Sequence, residues 1–311
     1  MTSARALVVG VALCIIPLRP LRAAADPGKA WTAAKASLPA TTSVVVGFDL
    51  AALAKSSLFK LALPLMLAQQ PDMKSGLELV KTTCQIDPLT AVSGVVAGTD
   101  KDQKQGAIFI AVNGIDEAKI VTCLDAIAKA KGTADTVVSV TKDGAITEVA
   151  KGTDKFYMTW ISKDVIAIAV VPGDKAQLQT WTAGKKALAK APVGASLAKV
   201  DTRSAIWAVS SVERDVDGMK MKGGYGGLTS AKGTLTADLH VVLPSADDAK
   251  TLADKATSDI AAKVNGPGLD ASLKAMLQTV SVKNVGSEVA IRAAIAESSL
   301  LSLSGALMAG Q

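Results

Sequence analysis

Apolar and polar positions alternate with two different periods along this chain. Thr42 to Leu50 reads T-S-V-V-V-G-F-D-L, a β-branched run suited to a buried strand. Ala51 to Ala68 carries Leu53, Leu58, Leu61, Leu65 and Met66 at helical spacing, with Pro64 placed to kink or divide the helix. A helix is predicted over Met73 to Thr83, and Asp87-Pro88 marks a turn. Two strands follow, Val92 to Gly98 and Ala107 to Val112, joined by the polar hairpin T-D-K-D-Q-K-Q-G. Asp116 opens a helix to about Lys131, with Ile120, Leu124 and Ile127 on one stripe. Strands are predicted over Thr136 to Thr141, Ala145 to Val149, Phe156 to Trp160 and Ile166 to Val171, with Asp143-Gly144 as a hairpin signal. A helix from Asp174 to Lys190 then leads to a linker at Ala191-Pro192-Val193-Gly194.

The remainder repeats this plan. Ala205 to Val212 parallels the strand at 43–50, and Leu235 to Leu243 parallels that at 107–112. The next helix opens with Asp247-Asp248-Ala249-Lys250, as the earlier one opens with Asp116-Glu117-Ala118-Lys119. A hairpin over Asn284 to Ser287 and a helix from Ser298 to Met308 complete it. The expected fold is α+β: two related units, 26–194 and a shorter 195–311, of mostly antiparallel sheet with helices packed on one face.

The start of the chain has a different character. Arg5 precedes an apolar run from Ala6 to Leu18, then Arg19, Pro20, Leu21, Arg22 and Ala23-Ala24-Ala25. A short basic region, an apolar stretch too short to span a bilayer and an A-x-A site describe a secretory signal peptide over 1–25, cleaved between Ala25 and Asp26. An uncleaved anchor is the alternative. Cys14 lacks a proper lipobox, because bulky Leu13 occupies the place of a small residue. No second apolar run reaches 18 residues, so no transmembrane segment is expected in the mature chain, which should be periplasmic or extracellular.

Export changes the charge. The full chain has 34 basic and 28 acidic residues, net +6; losing Arg5, Arg19 and Arg22 leaves 31 against 28, net +3. No basic run exceeds Lys185-Lys186 and only 3% of residues are aromatic, which disfavours a nucleic-acid partner.

Three segments carry a resemblance. They are V-V-V-G-F-D-L-A-A-L-A-K-S-S-L-F at 44–59, C-Q-I-D-P-L at 84–89, and K-G-G-Y-G-G-L-T at 222–229 with its downstream S-A-D-D-A-K. Together they resemble a group of uncharacterised bacterial exported proteins and lipoproteins. The resemblance implies export and this architecture and carries over no catalytic residue.

Candidate chemistry is sparse. His240 is the only histidine; alternation places it on one face with Asp238, as a solvent-facing strand residue. No G-x-S-x-G accompanies it. Cys84, Cys123 and His240 match no zinc spacing, the loop aspartates match no calcium pattern, and neither glycine cluster fits a nucleotide-binding motif. No cofactor or metal is expected. Gly223 to Gly227 reads as a connection, and with Met219, Met221 and Tyr225 it is the candidate contact loop. After cleavage Cys84 and Cys123 are the only cysteines, and an oxidising compartment favours a disulfide between them; two separate buried thiols are the alternative. The expected function is a non-catalytic exported protein that binds a partner or is structural in the cell envelope. A carrier of a lipid or other apolar ligand is the second reading, and an enzyme the third.

Overall fold

The computed structural model describes residues 28–130, 138–151, 154–170, 174–216, 218–297 and 299. The expected cleavage site at Ala25-Asp26 and almost all of the expected final helix lie outside them.

The first helix, α1 (Gly28–Ser37), buries Ala30, Ala34 and Ser37, a stripe of small residues that brings its backbone close to the sheet. Then come β1 (Val44–Asp49), α2 (Leu50–Leu53), α3 (Ser57–Gln69), α4 (Pro71–Cys84), α5 (Pro88–Ala91), β2 (Val92–Thr99) and β3 (Gly106–Val112). Capping sets these boundaries: Asp49, Ser56 and Asp87 side chains accept the exposed N–H groups of α2, α3 and α5, and Pro71 opens α4. Pro64 does not divide α3. Both Pro64 and Lys60, whose carbonyl it leaves without an i+4 donor, are exposed, so water can serve the freed oxygen.

The chain continues through α6 (Glu117–Ala130), β4 (Val138–Asp143), β5 (Ile146–Lys151), β6 (Asp154–Ser162), β7 (Val165–Val170), α7 (Lys175–Trp181) and α8 (Gly194–Leu197). The expected helix to Lys190 therefore stops early. Gly184 sits at φ +68°, and only a single 3₁₀ turn, Leu188–Lys190, follows. The last part is β8 (Ile206–Ser210), β9 (Arg214–Val216), β10 (Met219–Met221), β11 (Gly223–Ala231), β12 (Thr234–Val242), α9 (Ala246–Asn265), α10 (Ala271–Gln278), β13 (Ser281–Val285) and β14 (Glu288–Ala296).

Twelve strands form one antiparallel sheet in the order β13-β14-β12-β11-β8-β1-β2-β3-β7-β6-β5-β4; β9 and β10 make a separate hairpin. The fold is α+β. On each side of the central β1–β8 pair the chain takes the same route. Three antiparallel strands run outward, a helix crosses over, and the remaining strands return from the edge inward.

Helices lie on both faces of the sheet, correcting the one-face expectation. Ala107, Phe109 and Ala111 of β3 pack on the front face with α1 and with Leu178 and Trp181 of α7. Ile110 and Val112 turn to the back, against Val80 of α4 and Ile120, Cys123 and Leu124 of α6. A strand buried on both faces is apolar throughout, and β3 is. In the second half Val289 and Ile291 of β14 pack under Ala249 and Ala253 of α9. Strand register places α9 on the back face too, the same face as α6. At the centre of the front face Trp207 covers Gly47, where an added Cβ would lie 2.2 Å from the indole, and Trp31 of α1 meets Trp207 edge-on at 4.9 Å.

Candidate functional site

Among the described residues no helix covers the front face of β12 and β14, though the short α8 touches β8 and β11 there, and the strands of the second half alternate accordingly. Along β12, Thr236, Asp238 and His240 point forward while Leu239 and Val241 point back. Opposite them Tyr225 and Gly227 of β11 and Glu288 and Arg292 of β14 also face forward. The connection at 199–204 borders the same region. All of these forward-facing residues but Glu288 line an open hollow of about 340 Å³.

Register explains the pairings. Tyr225 and His240 are direct cross-strand partners, and their rings stack at 4.5 Å with 7° between planes. Asp238 and Arg292 are likewise opposite, and Arg292 Nη2 donates to Asp238 Oδ2 at 2.7 Å. Tyr225 Oη donates to Glu288 Oε2 at 2.7 Å, and Lys199 Nζ donates to the other oxygen of Glu288. The His240 ring nitrogens both face carboxylates: Nε2 is 3.3 Å from Asp238 Oδ1, and Nδ1 is 3.5 Å from Glu288 Oε2.

These contacts set the charges. Burial pushes the Tyr225 hydroxyl well above its ordinary pKa, and Glu288 pushes it further, so it remains a proton donor. Burial of Glu288 opposes its ionisation, but hydrogen bonds from Lys199 and Tyr225 outweigh this and hold it below the usual carboxylate range. The hydrogen bond from Arg292 holds Asp238 low. The ensemble is a charge-balanced polar network. Neither His240 nitrogen is directed at a nucleophile, as a hydrolase would need.

His240 thus shares a face with Asp238 as alternation indicated, but its side chain is only 21% exposed, far less than a solvent-facing residue. The candidate contact loop is not a loop. Met219 and Met221 lie in β10, and Tyr225 is a buried residue of β11. The glycines form strand because close neighbours leave no room for side chains: a Cβ on Gly227 would lie 2.6 Å from Ser204 Oγ. Cys84 and Cys123 form a disulfide in the first half, their Cα atoms 5.1 Å apart, tying the end of α4 to α6. That removes both thiols from any zinc set with His240. Among the described residues no group of three or more His, Cys, Asp or Glu side chains is arranged to hold a metal ion. Lys199, Glu288 and Arg292 went unnoticed in the sequence; the alternation of Glu288, Ala290 and Arg292 along one strand face was the available signal.

A second feature lies on the back. Helix α3, S-L-F-K-L-A-L-P-L-M-L-A-Q, has one charged residue in thirteen, yet none of its described side chains is buried and Met66 is 47% exposed. Its start is tied to the sheet by Glu297, which accepts the Ser57 N–H and the Ser230 hydroxyl. Phe48, Ile206 and Leu228 run across the back face in register, all partly exposed, and Leu239 is 46% exposed. No helix among the described residues is long and apolar enough to cross a membrane.

No family profile matches the chain, and no curated protein matches it. Solved structures do. Crystal form III of TP0453 aligns with a TM-score of 0.50 at 10% identity, covering 90% of this chain and 98% of that one. Crystal form IV of TP0453 aligns with a TM-score of 0.50 at 9% identity, covering 89% and 98%. At these identities the likeness is one of fold.

Proposed function

We propose that this is a non-catalytic exported protein that acts in the cell envelope or outside it by binding an apolar partner through its back face. One observation carries the reading: α3 has a single charged residue in thirteen, and none of its described side chains is fully buried. A helix of that composition is ordinarily enclosed by a core or by lipid. At thirteen residues it is too short to span a bilayer. Exposed apolar surface of this kind marks contact sites. The targeting features of residues 1–25 support export, and the pairing of Lys199 with Glu288 and of Arg292 with Asp238 around His240, with no nucleophile beside the imidazole, supports a non-catalytic role. The matching strand routes on either side of the β1–β8 pair support two related units, 26–194 and 195–311.

The test is a photo-crosslinking residue at Met66 in the full chain, made in its native host. Envelope material would be captured and analysed by mass spectrometry for both proteins and lipids. A protein adduct specific to position 66, absent from a control at exposed Lys222, supports a protein partner. A lipid adduct supports the carrier reading instead. No adduct at Met66 above the Lys222 background sinks both.

A further inference from the structure

We propose that the front-face hollow of the second half binds a small, neutral, hydroxyl-rich ligand of the saccharide class. The inference is independent of the apolar back face. Three observations lead to it.

The first is the shape of the site. The hollow is about 340 Å³, at the low end of the ~300–1,000 Å³ typical of small-molecule sites. It is floored by strand rather than by mobile loop, so its geometry is largely preformed. Gly227 keeps the floor low, because any side chain there would run into Ser204.

The second is the chemistry of the lining. Thr236 and Ser204 contribute hydroxyls, and Asp238 and Arg292 stand side by side at the wall. Only one guanidinium nitrogen of Arg292 is engaged by Asp238, and the Arg292 side chain is 67% exposed, which leaves further N–H donors free to point outward. Asp238 Oδ1 is buried, so the acceptor offered to a ligand is Oδ2, which takes one hydrogen bond from Arg292 and has capacity for another. A donor group and an acceptor group held next to each other match a pair of adjacent hydroxyls, each of which both donates and accepts.

The third is charge. Arg292 is neutralised by Asp238, Lys199 by Glu288, and Asp201 by Arg203. A ligand with net charge would have to draw one of these groups away from its partner, while a neutral polyol would not. The charge balance therefore selects against sugar acids and amino sugars.

His240 provides the readout. It lines the hollow and is the only histidine in the chain, so its imidazole C–H resonances report the site without ambiguity. The wild-type protein would be titrated by NMR with glucose, N-acetylglucosamine and maltose, and separately with glucuronate and glucosamine. The expected result is a saturable imidazole shift with at least one neutral sugar, and binding at least tenfold weaker for both charged ones. Thr236→Tyr places a large side chain over the floor at an exposed strand position that tolerates it. It should weaken neutral-sugar binding at least tenfold with an unchanged melting temperature. Asp238→Asn uncouples Arg292 and should move selectivity towards glucuronate. No imidazole shift with any neutral sugar at tens of millimolar overturns the proposal. So does tighter binding of either charged sugar to the wild type, or a Thr236→Tyr protein that is folded and binds undiminished.

Discussion

The two halves of the sheet follow one strand route but are finished differently. In the first half β3 and β7 are enclosed by α1 and α7 in front and by α4 and α6 behind, and the Cys84–Cys123 bridge joins the two rear helices. In the second half, among the described residues, β12 and β14 carry a helix only behind, and their front face bears ion pairs and a stacked Tyr–His pair. One topology therefore supports two kinds of stability. The first half rests on apolar burial and a covalent staple. The second exchanges some of that burial for a polar network, which leaves a surface able to meet a ligand.

The largest perturbation of this contrast should come from the bridge. Replacing both Cys84 and Cys123 with Ser should cost about 4 kcal/mol in the chain-entropy account, since the bridged residues are 39 apart. Denaturant unfolding would measure the loss. Hydrogen exchange should place it in α4, α6 and their strands; equal loss of protection in β12 and β14 would show that the halves do not differ as described. Next in size is Glu288→Gln, which weakens two charge-assisted bonds and should cost roughly 1.5–3 kcal/mol. Its exchange signature should be centred on β14 and β11.

Acid should separate the halves without mutation. Among the described residues five carboxylates of the second half are held below their ordinary pKa: Asp201, Asp238, Asp270, Glu288 and Glu297. In the first half only Glu148 is. A carboxylate with a lowered folded-state pKa contributes stability that is complete above its unfolded value, about 4, and is lost as pH falls through the folded value. The second half should thus loosen first below about pH 4, seen as earlier exchange in β12 and β14, and Asp238→Asn should flatten that dependence. The smallest effect on stability should come from Met66→Glu, within about 0.5 kcal/mol because the site is exposed. The same change should abolish capture of envelope material through α3.

Much of this contrast was legible in the sequence. The apolar run at 107–112 indicated a strand, though not that it is buried on both faces, and the alternation around His240 indicated one polar face. The disulfide followed from a two-cysteine inventory and an oxidising compartment. Two features were hidden for physical reasons. Gly223 to Gly227 has the composition of a turn, yet it is a strand because Ser204 and the neighbouring backbones crowd it, a tertiary fact absent from local propensity. Placing helices on one face failed because periodicity shows which side of a helix is apolar but not which face of the sheet that side meets: α1 buries Ala30, Ala34 and Ser37 and α7 buries Leu178 and Trp181, all in front. The Lys199–Glu288 contact joins residues 89 apart, a distance no period can bridge.

The edge-on contact of Trp31 with Trp207 has a spectroscopic consequence. Trp31 belongs to α1 and Trp207 to the centre of the sheet, so their indoles are close only when that helix is seated. Two indoles 4.9 Å apart at 73° are coupled chromophores, and their exciton signal in circular dichroism should vanish when α1 lifts off, even while the sheet stays intact. Trp31→Phe should remove the couplet and leave the emission of the remaining tryptophans as a baseline. The chain thus carries a built-in optical gauge of whether its first helix is docked.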